Sequence, residues 1–359
     1  MGSLTWSLVV ATLNREDCLV RSLRANTSQS RPPKQVIVVD SSADWEKVRA
    51  RVLTELAPRT PGVEWVYVPS DQRSLTRQRN LGFVHCTSDV AFFLDDDSFM
   101  YPDCAEEIMR VYQADVNAEL GGVCAGLAAE PPPSPSAVPN GPAGETQSES
   151  PADSSGSSAL SWIKSSMSPL WYQERLFLPY DGSFHPRSVA GIPRDVGVPV
   201  ALFHGCRMTF RAPAVRAAGG FQEMLVRGAY GEDADFSYRV SRQGALIMAV
   251  RARLFHEQTP AQRAKVSVTV CLVLLNAIAL YRLNAEGVGA GNGLGSTSAF
   301  LAKRLLLELL ADCARGAREL PNARGVWRAL RHLPEVLRIP RHQLPSAYAD
   351  LQRRLLERG

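Results

Sequence analysis

The chain has 359 residues, of which 45% are hydrophobic and 21% charged, as in globular proteins with a full buried core. This composition excludes a largely disordered chain and leaves either one large α/β domain or a core with an appended helical part. The seven cysteines include no CxxC pair and no His/Cys cluster, which argues against a disulfide framework and a zinc site and is typical of a reducing compartment.

The first third of the chain alternates between short β-rich runs and helical patterns. Strands are predicted at Leu8 to Ala11, Gln35 to Val39, Val63 to Val68 and Val90 to Leu94, with helices over 16–25, 45–56 and 74–83 between them. Such alternation with short connections predicts an α/β fold, a mostly parallel central sheet with helices on both faces. Ligands of these sheets bind at the carboxyl ends of the strands.

Polar residues follow three of the predicted strands. Thr12 to Arg15 follows the first strand, Asp40 to Ser42 the second, and Asp95 to Asp97 the fourth. Each segment alone would be an ordinary turn, but parallel topology brings all three to one edge of the sheet. The three adjacent carboxylates are either a solvated turn or a site for Mg²⁺ or Mn²⁺ and a phosphate ligand, since a cation would relieve their mutual repulsion.

Low-complexity sequence interrupts the chain between Glu130 and Ser158. This segment is rich in Pro, Ser, Gly and Ala, and it contains seven prolines between Pro131 and Pro151. Burial cannot offset its ordering entropy, so a disordered insertion is predicted over 130–158.

A second acidic cluster follows a glycine-rich stretch and contains Glu232 and Asp233. The pattern after it predicts an amphipathic helix, so both carboxylates lie in a first turn, where the helix dipole favours them. They could simply cap the helix, or one of them could act as a general base beside a cation and a substrate hydroxyl. His256 ends a β-like run from Ala249 to Phe255 and is either structural or a further metal or phosphate contact.

The last quarter of the chain has a helical pattern. The apolar run from Val266 to Tyr281 holds 16 residues without a charge, fewer than the roughly 20 of a membrane-spanning helix, which favours a buried or interfacial helix. Shorter helices follow from Phe300 onward. From Leu301 the chain has twelve Lys and Arg against six Asp and Glu, so this part could contact an anionic membrane or an acidic partner, or could form a solvated face.

Six motifs, in order between residues 4 and 256, resemble inverting family 2 glycosyltransferases of the GT-A fold. They are Ser7 to Arg15, Val36 to Ser42, Arg77 to Gly82, Phe93 to Asp97, Gly219 to Glu223 and Gly231 to Phe236. The resemblance implies a GT-A catalytic domain over 1–260, with a nucleotide-binding half at 1–127 and an acceptor half at 160–260, followed by a helical C-terminal region over 261–359. Its sheet would be Rossmann-like.

The resemblance also implies an activity and its site residues. A hexosyl or deoxyhexosyl group would pass from a nucleotide-sugar donor to a hydroxyl of a glycan, lipid-linked or small-molecule acceptor, by a metal-assisted single displacement that inverts the anomeric carbon. By position, the donor nucleotide would contact Thr12, Asn14, Arg15, Asp40, Arg79, Asp95 and Asp96. Mn²⁺ or Mg²⁺ would be held by Asp97, Asp95 and His256, and Asp233 would be the base with Glu232 as its alternative. Gln222 replaces a more usual acidic residue, so the acceptor loop departs from the family pattern.

Two other functions use similar features. A nucleotidyltransferase also binds Mg²⁺ on a parallel sheet, but it would show a glycine-rich basic loop where this chain has Ala11 to Arg15. A noncatalytic sugar-binding module of the same fold would have lost carboxylates that are present here. A membrane-embedded synthase would need several apolar spans and a QxxRW motif, and neither is found. No export signal is recognised, so we expect a cytoplasmic protein. We expect no nucleic-acid partner. The helical C-terminal region could make peripheral contact with the inner face of the membrane.

Overall fold

The structure is a computed structural model, and it describes residues 3–133, 186–226, 229–258, 265–284 and 294–357. The insertion predicted over 130–158 lies outside these residues from 134 onward. The described parts of Met1–Pro132, Ser183–Arg263 and Arg341–Arg358 form one unit, and those of Ala264–Pro340 form a second.

The first unit is built around one β-sheet with helices packed against it. Its strands are β1 (Trp6–Thr12), β2 (Gln35–Asp40), β3 (Glu64–Pro69), β4 (Val90–Asp95), β5 (Ser98–Met100), β6 (Leu120–Ala128), β7 (Gly197–Pro199), β8 (Met208–Arg211) and β9 (Ala245–His256). Its helices are α1 (Glu16–Thr27), α2 (Trp45–Leu56), α3 (Leu75–Val84), α4 (Cys104–Ala114), α5 (Ala212–Ala217), α6 (Glu232–Ser241) and, close to the C-terminus, α10 (Ala349–Glu357). The strands and helices predicted in the first third of the chain are confirmed, with ends that differ by a few residues.

The strand order is β3-β2-β1-β4-β8-β6-β9-β5, and β7 pairs with β9. Pairing is parallel between β1 and β2, β2 and β3, β1 and β4, and β6 and β9. Strand β8 lies antiparallel between β4 and β6. Six of the nine described strands therefore share one direction, which confirms the mostly parallel sheet.

Both faces of this sheet are covered, because apolar side chains of successive strand residues point to opposite faces. In β1, Leu8 and Val10 belong to a core shared with α1, α2 and α4. Val9 belongs to a second core, shared with α5 and α6. Helix α3 packs on this second face so closely that a Cβ added at Gly82 would lie 2.5 Å from Val9 Cγ1.

Strand register brings the predicted polar segments to one edge. Thr12 pairs with Asp40 across β1 and β2, and Ala11 pairs with Asp95 across β1 and β4. Strand β5 reverses direction after the acidic turn and pairs with the end of β9, which places Ser98 opposite His256. The expected convergence of these segments at the carboxyl edge is confirmed.

The second unit contains helices α7 (Val266–Asn284), α8 (Leu294–Ala314) and α9 (Pro321–Arg338). Helix α7 has 19 residues and a mean hydropathy of 2.0, so by length and composition it could cross a membrane. Half of its apolar window is buried within the protein. Gly325 of α9 approaches α7 so closely that an added Cβ would lie 2.6 Å from Val270 Cβ.

Candidate active site

Two carboxylates and one imidazole converge at the carboxyl edge of the sheet. Asp95 ends β4, Asp97 lies in the turn after it, and His256 ends β9. Asp97 Oδ1 lies 3.1 Å from His256 Nε2, and Asp95 Oδ2 lies 3.9 Å from the same nitrogen. Ligand atoms of all three residues lie within 4.8 Å of one another. Oxygen and imidazole ligands in this arrangement could hold a divalent cation.

The other oxygen of each carboxylate is held by an arginine. Asp95 Oδ1 accepts a hydrogen bond from Arg79 at 2.8 Å, and Asp97 Oδ2 accepts one from Arg15 at 2.7 Å. Each arginine therefore orients its carboxylate while the second oxygen faces His256. This geometry leaves the three facing ligand atoms in place for a cation.

Charge pairing sets the protonation of His256 and Asp97. Burial lowers the pKa of His256, but hydrogen bonds to Asp97 and Cys206 outweigh burial and raise this pKa to about 10. Burial raises the pKa of Asp97, but His256 and Arg15 hold that carboxyl well below its usual pKa range. The pair is therefore ionic, and His256 must release its proton to ligate a cation.

Asp96 has a different environment from its two neighbours. It is buried, it accepts a hydrogen bond from the Thr12 hydroxyl at 2.8 Å, and its Oδ1 lies 2.6 Å from Arg15 Nη1. Burial raises the pKa of Asp96 to about 7, against the opposing effects of Arg15 and Thr12. The contacts of Asp96 tie the first loop to the acidic turn. Its predicted contact with a nucleotide, like those of Thr12 and Arg15, stays a prediction.

Arg79 joins the two acidic clusters that the sequence separates. Its side chain is only 1% exposed, and its Nη1 donates to Glu232 Oε1 at 2.5 Å while Nη2 donates to Asp95. The Gly205 carbonyl accepts a further bond from Nη2 at 2.9 Å, and the guanidinium lies 5.3 Å from the centre of the Phe221 ring. Burial opposes the charge, but Glu232 and Asp95 outweigh it and raise the pKa of Arg79. The buried guanidinium of Arg79 thus connects the cluster of Asp95, Asp97 and His256 to helix α6.

Glu232 and Asp233 lie in the first turn of α6, as predicted, but they have different surroundings. Gly231 before them has φ +89°, a conformation that favours glycine. Glu232 is buried, and burial together with Asp233 raises its pKa to about 8 despite the opposing Arg79. Asp233 is only half-buried, and its Oδ2 accepts a bond from the Gly205 N–H at 3.1 Å. Asp233 is therefore the carboxylate of this pair that a substrate can reach more readily.

A cluster of polar groups lies at the ends of β1 and β2. Asp40 is buried and accepts bonds from the Tyr67 hydroxyl at 2.6 Å and from the Ser42 N–H at 2.7 Å. Asn14 is exposed beside it, and its backbone N–H donates to Ser42 Oγ at 2.7 Å. Gln78 donates to the carbonyls of Thr12 and Val39, both at 2.9 Å, and so ties the two strand ends to α3.

The loop from Phe221 to Val226, which precedes α6, is held through its backbone from two sides. Asn80 of α3 accepts from the Phe221 N–H at 2.7 Å and donates to the Phe221 carbonyl at 2.9 Å. Gln352 of α10 donates to the Met224 carbonyl at 2.5 Å and accepts from the Val226 N–H at 3.4 Å. Because these bonds use backbone groups, the unusual Gln222 leaves them in place.

Sequence reasoning missed the supporting residues of this site. Gln78 lies inside a recognised motif and could have been noticed, because a polar side chain there faces two apolar strands. Gly205 follows a histidine in a segment without a regular pattern, and Tyr67 looks like an ordinary strand aromatic. Gln352 has no local signal at all, since its partners lie more than a hundred residues away in sequence.

The curled, mostly parallel sheet with its acidic carboxyl edge defines a GT-A fold. Mannosyltransferase PcManGT from Pyrobaculum calidifontis, solved in complex with GDP-Man and Mn²⁺, matches with a TM-score of 0.51 and 15% identity, over 92% of this chain and 87% of that one. GalNAc-T7, solved with UDP, GalNAc and Mn²⁺, matches with a TM-score of 0.50 and 12% identity, over 97% of this chain and 58% of that one. At such identities these matches establish the fold.

The family is indicated by the sequence itself. Residues 7–128 match the profile described as Glycosyl transferase family 2. No curated protein sequence matches the chain. These residues are therefore similar to glycosyltransferase family 2, and four of the six motifs that carried the resemblance lie within them.

Proposed function

We propose that this protein is an inverting glycosyltransferase that moves a hexosyl or deoxyhexosyl group from a nucleotide-diphosphate donor to an acceptor hydroxyl. The observation that carries the proposal is the bridge through Arg79. This side chain connects Asp95, in the cluster that could hold a cation, with Glu232, the neighbour of the accessible Asp233. The acidic cluster that would stabilise the leaving group and the carboxylate that would remove the proton thus lie on two sides of the buried Arg79 side chain.

A divalent cation fits the residues that face one another at the sheet edge. Asp97, Asp95 and His256 would hold it, and their two oxygens and one nitrogen suit Mn²⁺ or Mg²⁺. Two of the solved structures that share the fold, PcManGT and GalNAc-T7, contain Mn²⁺ with a nucleotide or nucleotide sugar, which supports this assignment. Such an ion neutralises negative charge on a departing diphosphate.

The donor nucleotide is assigned to the polar groups at the ends of β1 and β2, beside the Asp95, Asp97 and His256 cluster. The buried Asp40 carboxylate, oriented by Tyr67 and Ser42, would accept hydrogen bonds from the base or ribose. Thr12, Asn14 and Arg15 lie on the adjoining loop and would line the same site. Glycan, lipid-linked and small-molecule acceptors all remain compatible with this arrangement.

Asp233 is assigned as the general base. Its carboxylate would take the proton of the acceptor hydroxyl as that oxygen forms a bond to the anomeric carbon and the bond to the diphosphate breaks. Attack opposite the leaving group inverts the configuration. Glu232 is less suited to this role, because its raised pKa keeps it largely protonated near neutral pH and its carboxyl group is engaged by Arg79.

A donor screen tests the proposal directly. Purified full-length protein is incubated with UDP-, dTDP- and GDP-sugars, with and without Mn²⁺, and donor hydrolysis and thermal stabilisation are measured. We expect at least one nucleotide sugar to raise the melting temperature and to be hydrolysed slowly in a Mn²⁺-dependent way. Asp97→Asn should abolish both effects, whereas Asp195→Asn, at an exposed aspartate in the turn before β7, should preserve them.

The screen also separates the two competing functions. A protein that binds nucleotide sugars without turnover under any condition would be a noncatalytic module of this fold. A protein that accepts a nucleoside triphosphate and a sugar phosphate instead would be a nucleotidyltransferase. A cytoplasmic location is part of the proposal and is supported by seven cysteines that form no disulfide.

A further inference from the structure

Exposed large apolar side chains concentrate in the second unit. Among the described residues, those in the first unit are Val84, Val116 and Leu127, and those in the second unit are Val266, Leu306, Leu309, Leu310 and Trp327. The second unit is much the smaller of the two, so this excess is not a matter of size. Scattered single exposures are normal on protein surfaces, but a contiguous group marks an interaction site.

Four exposed residues form a stripe on α8. Leu306, Leu309, Leu310 and Cys313 are spaced by three and four residues, so they share one face of the helix. Leu306 and Leu310 are 58% and 59% exposed. The opposite face is buried, and it contains Leu307 and Ala311. The α8 stripe is thus an apolar face that no other part of the described chain covers.

Trp327 of α9 lies level with this stripe. Asp312, near the end of α8, accepts hydrogen bonds from the N–H groups of Asn322 and Ala323 at the start of α9, at 2.9 and 3.0 Å. The short connection between the helices makes them antiparallel. Asn322 of α9 lies beside Asp312 of α8, so the residue five positions after Asn322 lies at the height of the residue five positions before Asp312. This places Trp327, which is 60% exposed, at the height of Leu306 and Leu307.

The charge around these apolar residues is positive. From Leu294 to Arg338 the chain has eight Lys and Arg against four Asp and Glu. Two of the four acids are neutralised within the hairpin, Glu308 by Arg304 and Asp312 by Arg315. Exposed cations of the hairpin are Lys303 on α8, Arg318 in the connection, and Arg324, Arg331 and Arg338 on α9, among others. The surface therefore combines exposed leucines, one exposed tryptophan and an excess of basic groups.

We propose that the α8–α9 hairpin binds anionic phospholipid, with Leu306, Leu310 and Trp327 entering the interface and the arginines contacting headgroup phosphates. Amphipathic helices that combine bulky apolar residues with Lys and Arg lie in the plane of such membranes. Tryptophan favours the headgroup level, where its ring is buried and its N–H is hydrated. A second copy of the chain is a poorer occupant, because a symmetric pairing would bring the same positive surface against itself.

Vesicle flotation of the full-length protein tests this proposal. The protein should float with vesicles of equal parts phosphatidylglycerol and phosphatidylcholine and much less with phosphatidylcholine alone, and salt should weaken the binding. A basic residue near an anionic surface contributes about fivefold to partitioning. Arg324→Glu with Arg331→Glu should therefore lower the partition coefficient by about 25-fold or more, and Trp327→Ser should lower it as well.

Matched controls come from exposed positions of the first unit. Arg49→Glu makes on α2 the charge change of one of the two hairpin substitutions, and Val84→Ser removes an exposed apolar side chain at the end of α3, so neither should alter flotation. Failure to float with the anionic vesicles, or equal flotation of the hairpin variants and the controls, would overturn the proposal. Light scattering that shows a dimer dissociating in Leu306→Ser with Leu310→Ser would overturn it too, in favour of a contact between copies. Donor hydrolysis measured on the same preparations tests the catalytic proposal separately, since lipid binding does not depend on it.

Discussion

The carboxyl edge of the sheet and the α8–α9 hairpin use charge in opposite ways. At the sheet edge, the partly buried Arg15 and the buried Arg79 fix carboxylate oxygens at 2.5 to 2.8 Å. On the hairpin, Arg324 and Arg331 remain exposed beside apolar side chains. Buried charges must be paired and fix one geometry, whereas exposed charges stay mobile and suit a diffuse anionic surface. The contrast predicts that single substitutions are drastic in the first region and graded in the second.

The largest effect is expected at Asp233, the proposed base. Asp233→Asn should reduce glycosyl transfer by about 10² to 10⁴-fold, because an amide cannot accept the acceptor proton. Binding of the donor, measured by thermal shift, should change little. Asp195→Asn is the control, and an unchanged transfer rate in Asp233→Asn would remove this residue from the mechanism.

Loss of the buried bridge should show mainly as instability. Arg79→Met leaves the Asp95 carboxylate without its buried cation and the Glu232 carboxyl group without its hydrogen-bond donor, and removing one partner of a buried pair costs about 3 to 5 kcal/mol. Denaturant unfolding followed by tryptophan fluorescence measures this change. Arg77→Met, two residues earlier on the same helix and only half-buried, should cost well under half as much. Equal losses in the two variants would argue that Arg79 is not the centre of a paired network.

The pH dependence of stability should reveal Glu232. Its folded pKa of about 8 lies above its ordinary value of 4.5, so the folded protein binds this proton more tightly than the unfolded chain does. The contribution of Glu232 to stability is therefore greatest below pH 4.5, falls as the pH rises toward 8, and is constant above it. Glu232→Gln has no proton to lose at this position, so its stability lacks this pH dependence. The free energy of unfolding of the variant, minus that of the natural protein, should therefore increase by the order of a few kcal/mol as the pH rises from 5 to 9. A constant difference over that range would contradict the raised pKa.

The smallest effect is expected where the C-terminal helix holds the loop before α6. Gln352→Ala leaves the Met224 carbonyl and the Val226 N–H without this partner, which costs about 1 to 3 kcal/mol. Because that loop leads into the helix that carries the proposed base, transfer to an acceptor should fall more than donor hydrolysis does. Gln343→Ala, at an exposed position, is the matched control. Parallel losses in both activities would reduce Gln352 to a purely structural role.

Much of this molecule follows from local pattern. The alternation in Leu8, Val9 and Val10 and the helical spacing after Glu16 are sufficient to place the first elements, because side-chain periodicity follows directly from strand and helix geometry. The acidic turn after β4 could be assigned to the functional edge for the same reason. The resemblance in ordered motifs then identified the fold that the structure and the family profile support.

What the sequence determined by itself was the order of the elements, the two acidic clusters and their positions after a strand and at the start of a helix. Tertiary structure alone decided that Arg79 joins those clusters, that His256 reaches Asp97 through the pairing of β5 with β9, and that Gln352 holds a loop far from it in sequence. The physical reason is that short-range periodicity is encoded in neighbouring residues. Contacts between distant residues depend on register and packing, which no local pattern specifies.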